Sequence, residues 1–98
     1  MRFQIIFGDE ARKHLRGLSA GECRKVLDRI EAVLRSGPTR ESKNQKPLRP
    51  NPLARWELRV GELRVFYDVP EGTDSVIIVG VGRKRGNRLL IGGREYVI

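Results

Sequence analysis

WELRVGELRVFYDV, residues 56–69, is the stretch that decides the fold. Trp56, Leu58 and Val60 alternate with Glu57 and Arg59, and Leu63, Val65, Tyr67 and Val69 alternate with Arg64, Phe66 and Asp68. That period of two marks strands with one buried face. Gly61-Glu62 between the runs fits a two-residue type II′ turn, which predicts a β-hairpin pairing Val60 with Leu63, Arg59 with Arg64, Leu58 with Val65, Glu57 with Phe66 and Trp56 with Tyr67. One face is then apolar and can cover helices, while the other presents Glu57, Arg59, Arg64 and Phe66. Arginines directly opposite each other weaken folding, by about 0.2–1 kcal/mol for a typical cross-strand pair. Two readings follow: a solvated face on which Glu57 neutralises both arginines, or a site built for a ligand anion.

Upstream, Phe3 to Phe7 is a short β-prone run closed by Gly8 and Asp9, and EARKHLRGL can form two helical turns capped by Asp9. Ser19-Ala20-Gly21-Glu22 has the form of a capping box and predicts a second helix. Its apolar positions Cys23, Val26, Leu27, Ile30, Val33 and Leu34 share one face, and Gly37-Pro38 stops it. Only Gly17 and Leu18 separate the two patterns, so an antiparallel helix hairpin is expected. Thr39 to Arg55, with Pro47, Pro50 and Pro52, reads as an ordered basic loop. Downstream, Ser75 to Val81 is a β-branched run without alternation, as in a central strand covered on both faces. Arg83 to Arg88 follows, then a closing hairpin from Leu89 to Ile98 turning at Gly92-Gly93. The pattern predicts one α+β domain over residues 1–98. An N-terminal strand and an antiparallel helix hairpin would lead into a mainly antiparallel twisted sheet with the helices packed on one face.

Composition narrows the function. The 98 residues carry 20 Lys plus Arg against 12 Asp plus Glu, a net charge of +8 that favours a polyanionic partner over a neutral metabolite. One cysteine, Cys23, and one histidine, His14, offer neither a disulfide nor a metal cluster, and no cofactor is suggested. Cys23 lies on the apolar helix stripe and His14 on the charged first helix, which implies a core residue and a surface residue. The N-terminus reads as neither signal peptide nor membrane anchor, so a reduced cytoplasm is the expected compartment.

The cations are unevenly placed. Arg83, Lys84, Arg85, Arg88 and Arg94 occur together without an acid, directly after the central strand, and Lys43, Lys46, Arg49 and Arg55 lie in the loop before the hairpin. If the central strand ends beside the hairpin, both clusters converge with Arg59 and Arg64 on one groove. A phosphodiester backbone suits it, with Arg supplying bidentate contacts and Phe66 a surface for stacking a base.

KPLRPNPLARWELRVGELRVFYDV resembles the core of RelE/ParE toxins: Pro-Leu, a variable stretch, then aromatic-x-x-Arg-Val-Gly-x-x-Arg-x-x-Tyr. The match falls on Pro47, Leu48, Trp56, Arg59, Val60, Gly61, Arg64 and Tyr67. The resemblance covers nearly the whole chain and implies the RelE-like microbial RNase toxin fold. It also implies the toxin of a type II toxin–antitoxin system, silenced by a cognate antitoxin, that cleaves messenger RNA in the ribosomal A site as a metal-independent endoribonuclease. By the same resemblance Arg64 matches the arginine on the scissile phosphate, Arg59 a second strand position acting as base or electrostatic partner, and Lys84 a transition-state arginine. The chain departs from the prototype at Glu57, where that strand position is basic, and at Leu90, which aligns with a tail tyrosine that stacks on the substrate base. Tyr96 could substitute for it from the terminal hairpin, but its simpler role is to fill a sheet face. Two alternatives stay open: a ParE-like inhibitor of DNA gyrase, and a catalytically silent RNA-binding relative.

Overall fold

The structure is a computed structural model and describes residues 2–96. Strand β1 (Gln4–Phe7) leads into α1 (Asp9–Arg16) and α2 (Ala20–Arg29), followed by β2 (Gln45–Pro47), β3 (Trp56–Val60), β4 (Leu63–Asp68), β5 (Ser75–Arg85), β6 (Arg88–Ile91) and β7 (Arg94–Tyr96). Strands β2 to β7 lie side by side in sequence order, each antiparallel to the next, and β1 joins β5 in parallel. This is the α+β arrangement read from the sequence, with the helices on one face of a seven-stranded sheet.

The β3–β4 hairpin has the anticipated register from Val60 opposite Leu63 to Trp56 opposite Tyr67. Gly61 has φ 62° and Glu62 stays out of the left-handed region, as a type II′ turn requires. The α2 capping box also forms: Glu22 N donates to Ser19 Oγ at 3.1 Å, and Ser19 N to Glu22 Oε1 at 3.3 Å. The first helix differs, because Gly8 is its N-cap and Asp9 its first helical residue, without a side-chain cap. After Arg29 the helix widens into a π turn over Ile30–Leu34, which buries Ile30 and Leu34.

Two apolar clusters result. On the helix side, Ala11, Val26, Ile30 and Leu34 pack against Leu58, Leu63, Val65, Tyr67, Val76 and Ile78. Tyr67 anchors this layer: its hydroxyl donates to Pro38 O at 2.7 Å and accepts from Gln45 Nε2 at 3.1 Å, and burial pushes its pKa up to about 12. The second cluster lies on the other face, where Ala54, Leu48 and Leu53 pack with Phe66, Val79, Leu89 and Ile91. The proline-containing segment is therefore a lid over part of the sheet. Asn51 shapes it, its Oδ1 accepting from Leu53 N at 2.7 Å and Ala54 N at 3.1 Å. Gly82 lets β6 approach: a Cβ there would lie 2.7 Å from Ile91 Cγ1 and 2.8 Å from Leu90 O.

Candidate nucleic-acid interface

Strand β5 continues to Arg85, four residues beyond the end expected from its apolar run. Arg83, Lys84 and Arg85 are thus strand residues, and successive side chains point to opposite faces. The basic run is split by this alternation. Arg83 belongs to the helix side, where its Nη2 is 2.8 Å from Glu22 Oε2 and its Nη1 3.4 Å from Glu62 Oε1. Arg85, exposed, has its Nε 4.0 Å from Glu62 Oε2. Lys84 faces the other way, into a groove of about 170 Å³ that it lines with Lys46, Glu57, Leu89, Glu95 and Tyr96.

Arg59 and Arg64 pair across β3 and β4 on that outer face beside Glu57. Arg64 is only 8% exposed. Its Nη1 donates to Gly61 O at 2.8 Å and to Leu63 O at 2.9 Å, which pins the guanidinium to the turn. Neither bond uses its Nε/Nη2 edge, the edge with which Arg35 grips both carboxylate oxygens of Glu31. Arg64 Nε is buried without a hydrogen-bond partner among the described residues, as is Arg59 Nε. Among the described residues the acid paired with Arg64 is Glu57, also 8% exposed, whose carboxylate stands 3.9 Å from Arg64 Nε and 3.8 Å from Lys46 Nζ. Burial, above all, disfavours the Arg64 charge and lowers its pKa, with Glu57 pulling the other way and Arg59 adding repulsion. A buried cation is ordinarily paired through good hydrogen bonds. Two arginines lacking this at their Nε atoms, side by side, make a seat suited to an oxyanion such as phosphate.

The remaining sequence-derived positions divide. Lys46 lines the groove. Lys43, Arg49 and Arg55 are exposed in the segments around the lid, and Arg88, also exposed, pairs with Glu95 at 2.7 Å. Phe66 is fully buried beneath the lid and offers no face to a base. Strand alternation placed it on the outer face correctly, but not the cover that the loop provides. Tyr96 departs from its anticipated role in the opposite sense, being 39% exposed and a wall of the groove. Leu90, half-buried, lines the helix-side cleft instead. Cys23 is half-buried rather than core. His14 is no free surface residue: its Nδ1 accepts the Val81 N–H at 3.1 Å, tying α1 to β5, and burial lowers its pKa. No apolar pattern could have revealed that bond, which joins residues 67 positions apart.

Among solved structures, a chain of the toxin–antitoxin complex RelBE2 from Mycobacterium tuberculosis is similar over 86% of this chain and 100% of its own length, with a TM-score of 0.74 and 23% identity. The archaeal RelE–RelB complex from Pyrococcus horikoshii OT3 contains another, similar over 88% of this chain and 98% of its own, with a TM-score of 0.67 and 21% identity. The chain has the RelE fold. No family model and no curated protein matches the sequence. At these identities the likeness is one of fold, and it places the outer groove on a RelE-type sheet. Among the described residues no helix of this RelE fold is long and apolar enough to cross a membrane.

Proposed function

We propose that this chain is the cytoplasmic toxin of a type II toxin–antitoxin pair and acts as a metal-independent endoribonuclease on messenger RNA in the ribosomal A site. The observation that carries the proposal is the pair of buried guanidinium Nε atoms of Arg59 and Arg64, unpartnered among the described residues, on the same sheet face as a groove lined by Lys46, Glu57, Lys84 and Tyr96. The likeness to chains of two toxin–antitoxin complexes supports the toxin reading and an antitoxin partner.

In the proposed reaction the 2′-oxygen forms a bond to the adjacent phosphorus while the bond to the 5′-oxygen breaks, leaving a cyclic phosphate and a 5′-hydroxyl. Arg64 holds the phosphate through the Nε/Nη2 edge that its backbone hydrogen bonds leave unused, with Arg59 beside it to stabilise the phosphorane charge. An arginine remains protonated and cannot accept the 2′-proton. Glu57 can, because its carboxylate faces the same groove, and it replaces Arg59 as the assigned base. Lys84 delivers a proton to the leaving 5′-oxygen. Tyr96 supplies the flat surface that Phe66, being buried, does not.

Induced expression followed by mapping of messenger RNA ends and of chromosomal breaks tests this reading. Discrete cuts inside translated messages, absent in an Arg64→Ala strain, are expected. Double-strand breaks without RNA cuts would replace the reading with gyrase poisoning, and neither would leave a silent relative.

A further inference from the structure

A second cavity, a cleft of about 630 Å³, lies on the opposite, helix side of the sheet, between α1 and the end of the β5–β6 hairpin. Leu18, Val81 and Leu90 form its apolar lining, while Lys13, His14, Arg83 and Arg85 contribute cations or donors against one acid, Glu10. Two of these cations are already engaged, Lys13 with Glu10 at 3.1 Å and Arg83 with Glu22 at 2.8 Å. Two donors are not comparably held. Arg85 is 67% exposed and only 4.0 Å from Glu62, at the limit of an ion pair. His14 accepts the Val81 N–H through Nδ1, which places the single proton of its neutral ring on Nε2. The ring is seated between Gly80 and Gly92, since a Cβ at either would lie 3.4 Å from it.

We propose that this cleft is a second binding site, separate from the RNA groove, for a compact amphipathic carboxylate. An acyl or aryl body would lie on Leu18, Val81 and Leu90, and the carboxylate would meet Arg85 and the Nε2–H of His14. The volume falls in the range of small-molecule sites. Three apolar side chains match one apolar group rather than the longer stripe of a docking helix, whose apolar residues recur over several turns. The same chemistry is offered by a free carboxylic acid and by the C-terminal residue of a peptide. Strand β5 separates the cleft from the groove by one residue, Arg83 facing the former and Lys84 the latter, yet the proposal stands whether or not the groove binds RNA.

His14 is the only histidine, so its ring signals in an NMR titration of the full chain report on this cleft alone. Titration with 3-phenylpropionate should shift them saturably and raise the midpoint of His14 protonation, because a neighbouring anion favours imidazolium. The uncharged amide of the same compound should bind about tenfold more weakly or worse, for want of a charge-assisted hydrogen bond. Acetate, lacking the apolar body, should do no better. Arg85→Ala should weaken binding about fivefold with melting unchanged, since the side chain is exposed. Leu90→Glu should abolish it, and Lys84→Glu, on the other face, should leave it intact. A tripeptide ending in leucine with a free carboxylate, compared with its amidated form, separates the two sources: tighter binding than phenylpropionate assigns the site to a chain terminus, weaker binding to a small molecule. No saturable shift with either probe up to about 10 mM, or a shift that survives both Arg85→Ala and Leu90→Glu, would overturn the proposal.

Discussion

The two faces of the sheet handle charge in opposite ways. On the helix side Arg83 is held by Glu22 and Glu62, Arg35 by Glu31 and Lys13 by Glu10. On the outer face Arg59 and Arg64 bury Nε atoms that have no hydrogen-bond partner among the described residues, and the Glu57 carboxylate stands 3.8–3.9 Å from Lys46 and Arg64. Folding alone does not require the second arrangement, which costs desolvation and like-charge repulsion without full compensation. On the proposed reading, the contrast separates cations that hold the fold together from cations placed to meet a ligand anion.

Phe66 and Arg64 are two residues apart on β4 and share the outer face, which makes them the sharpest test of that contrast. Phe66→Ala should cost about 3–5 kcal/mol of stability, because it empties the centre of the second core. A variant that melts normally but cleaves poorly would return Phe66 to the substrate. Arg64→Ala should do the reverse, lowering RNA cleavage by about a hundredfold or more. Its stability cost should stay under about 2 kcal/mol, since two backbone hydrogen bonds are lost while a buried, incompletely paired charge is removed. Lys at this position would restore only part of the activity, lacking the planar edge. Full toxicity of Arg64→Ala would remove the phosphate assignment.

Tyr96→Ala comes next in size. Loss of a stacking surface should reduce cleavage by about tenfold, within the range of base–aromatic contacts, and Phe should restore it. Melting should not change, given the exposure of this side chain. Equal losses in Ala and Phe would assign the role to the hydroxyl instead.

The smallest expected effect is a pH dependence on the helix side. Burial lowers the His14 pKa, so the unfolded chain binds a proton there more readily than the folded one. The stability that neutral His14 contributes is complete above its ordinary value of 6.5 and is lost as pH falls from there through the lowered folded value. Glu22, whose pKa is lowered chiefly by its hydrogen bond to Arg83, acts in the same sense at more acidic pH. Denaturant midpoints measured from pH 8 to pH 5 should therefore decline, and His14→Asn, which can present an acceptor near the Nδ1 position, should flatten the upper part of that decline. An unaltered slope would mean the α1–β5 link does not titrate.

Much of this architecture was legible in residues 56–69, because strand alternation and a glycine turn fix register and facing together, and Ser19 with Glu22 announced the second helix. What local pattern could not convey was cover. Leu48, Leu53 and Ala54 sit in a segment whose prolines and cations speak only of a loop, yet they fold back over Phe66. The end of β5 was obscured for a related reason: Arg83-Lys84-Arg85 has no apolar alternation, so its strand character comes from backbone pairing with β6. That pairing sends Arg83 and Lys84 to different faces and divides one apparent basic cluster between them. The position of Tyr96 likewise depends on β7 pairing with β6, which sets it opposite Leu89 beside the groove.

The central claim is that RNA is gripped by the outer face and not by net charge at large. Lys46→Glu with Lys84→Glu reverses two exposed groove cations, while Arg24→Glu with Arg29→Glu reverses two exposed ones on α2. Each pair takes the chain from +8 to +4, as 8 − 2 − 2 = 4, so the two variants are matched in charge. Affinity for a short single-stranded RNA, measured across a salt series, should fall about thirtyfold or more in the groove variant, with a shallower salt slope, and less than about threefold in the helix variant. Equal losses in the two variants, or a larger loss in the helix variant, would contradict the account.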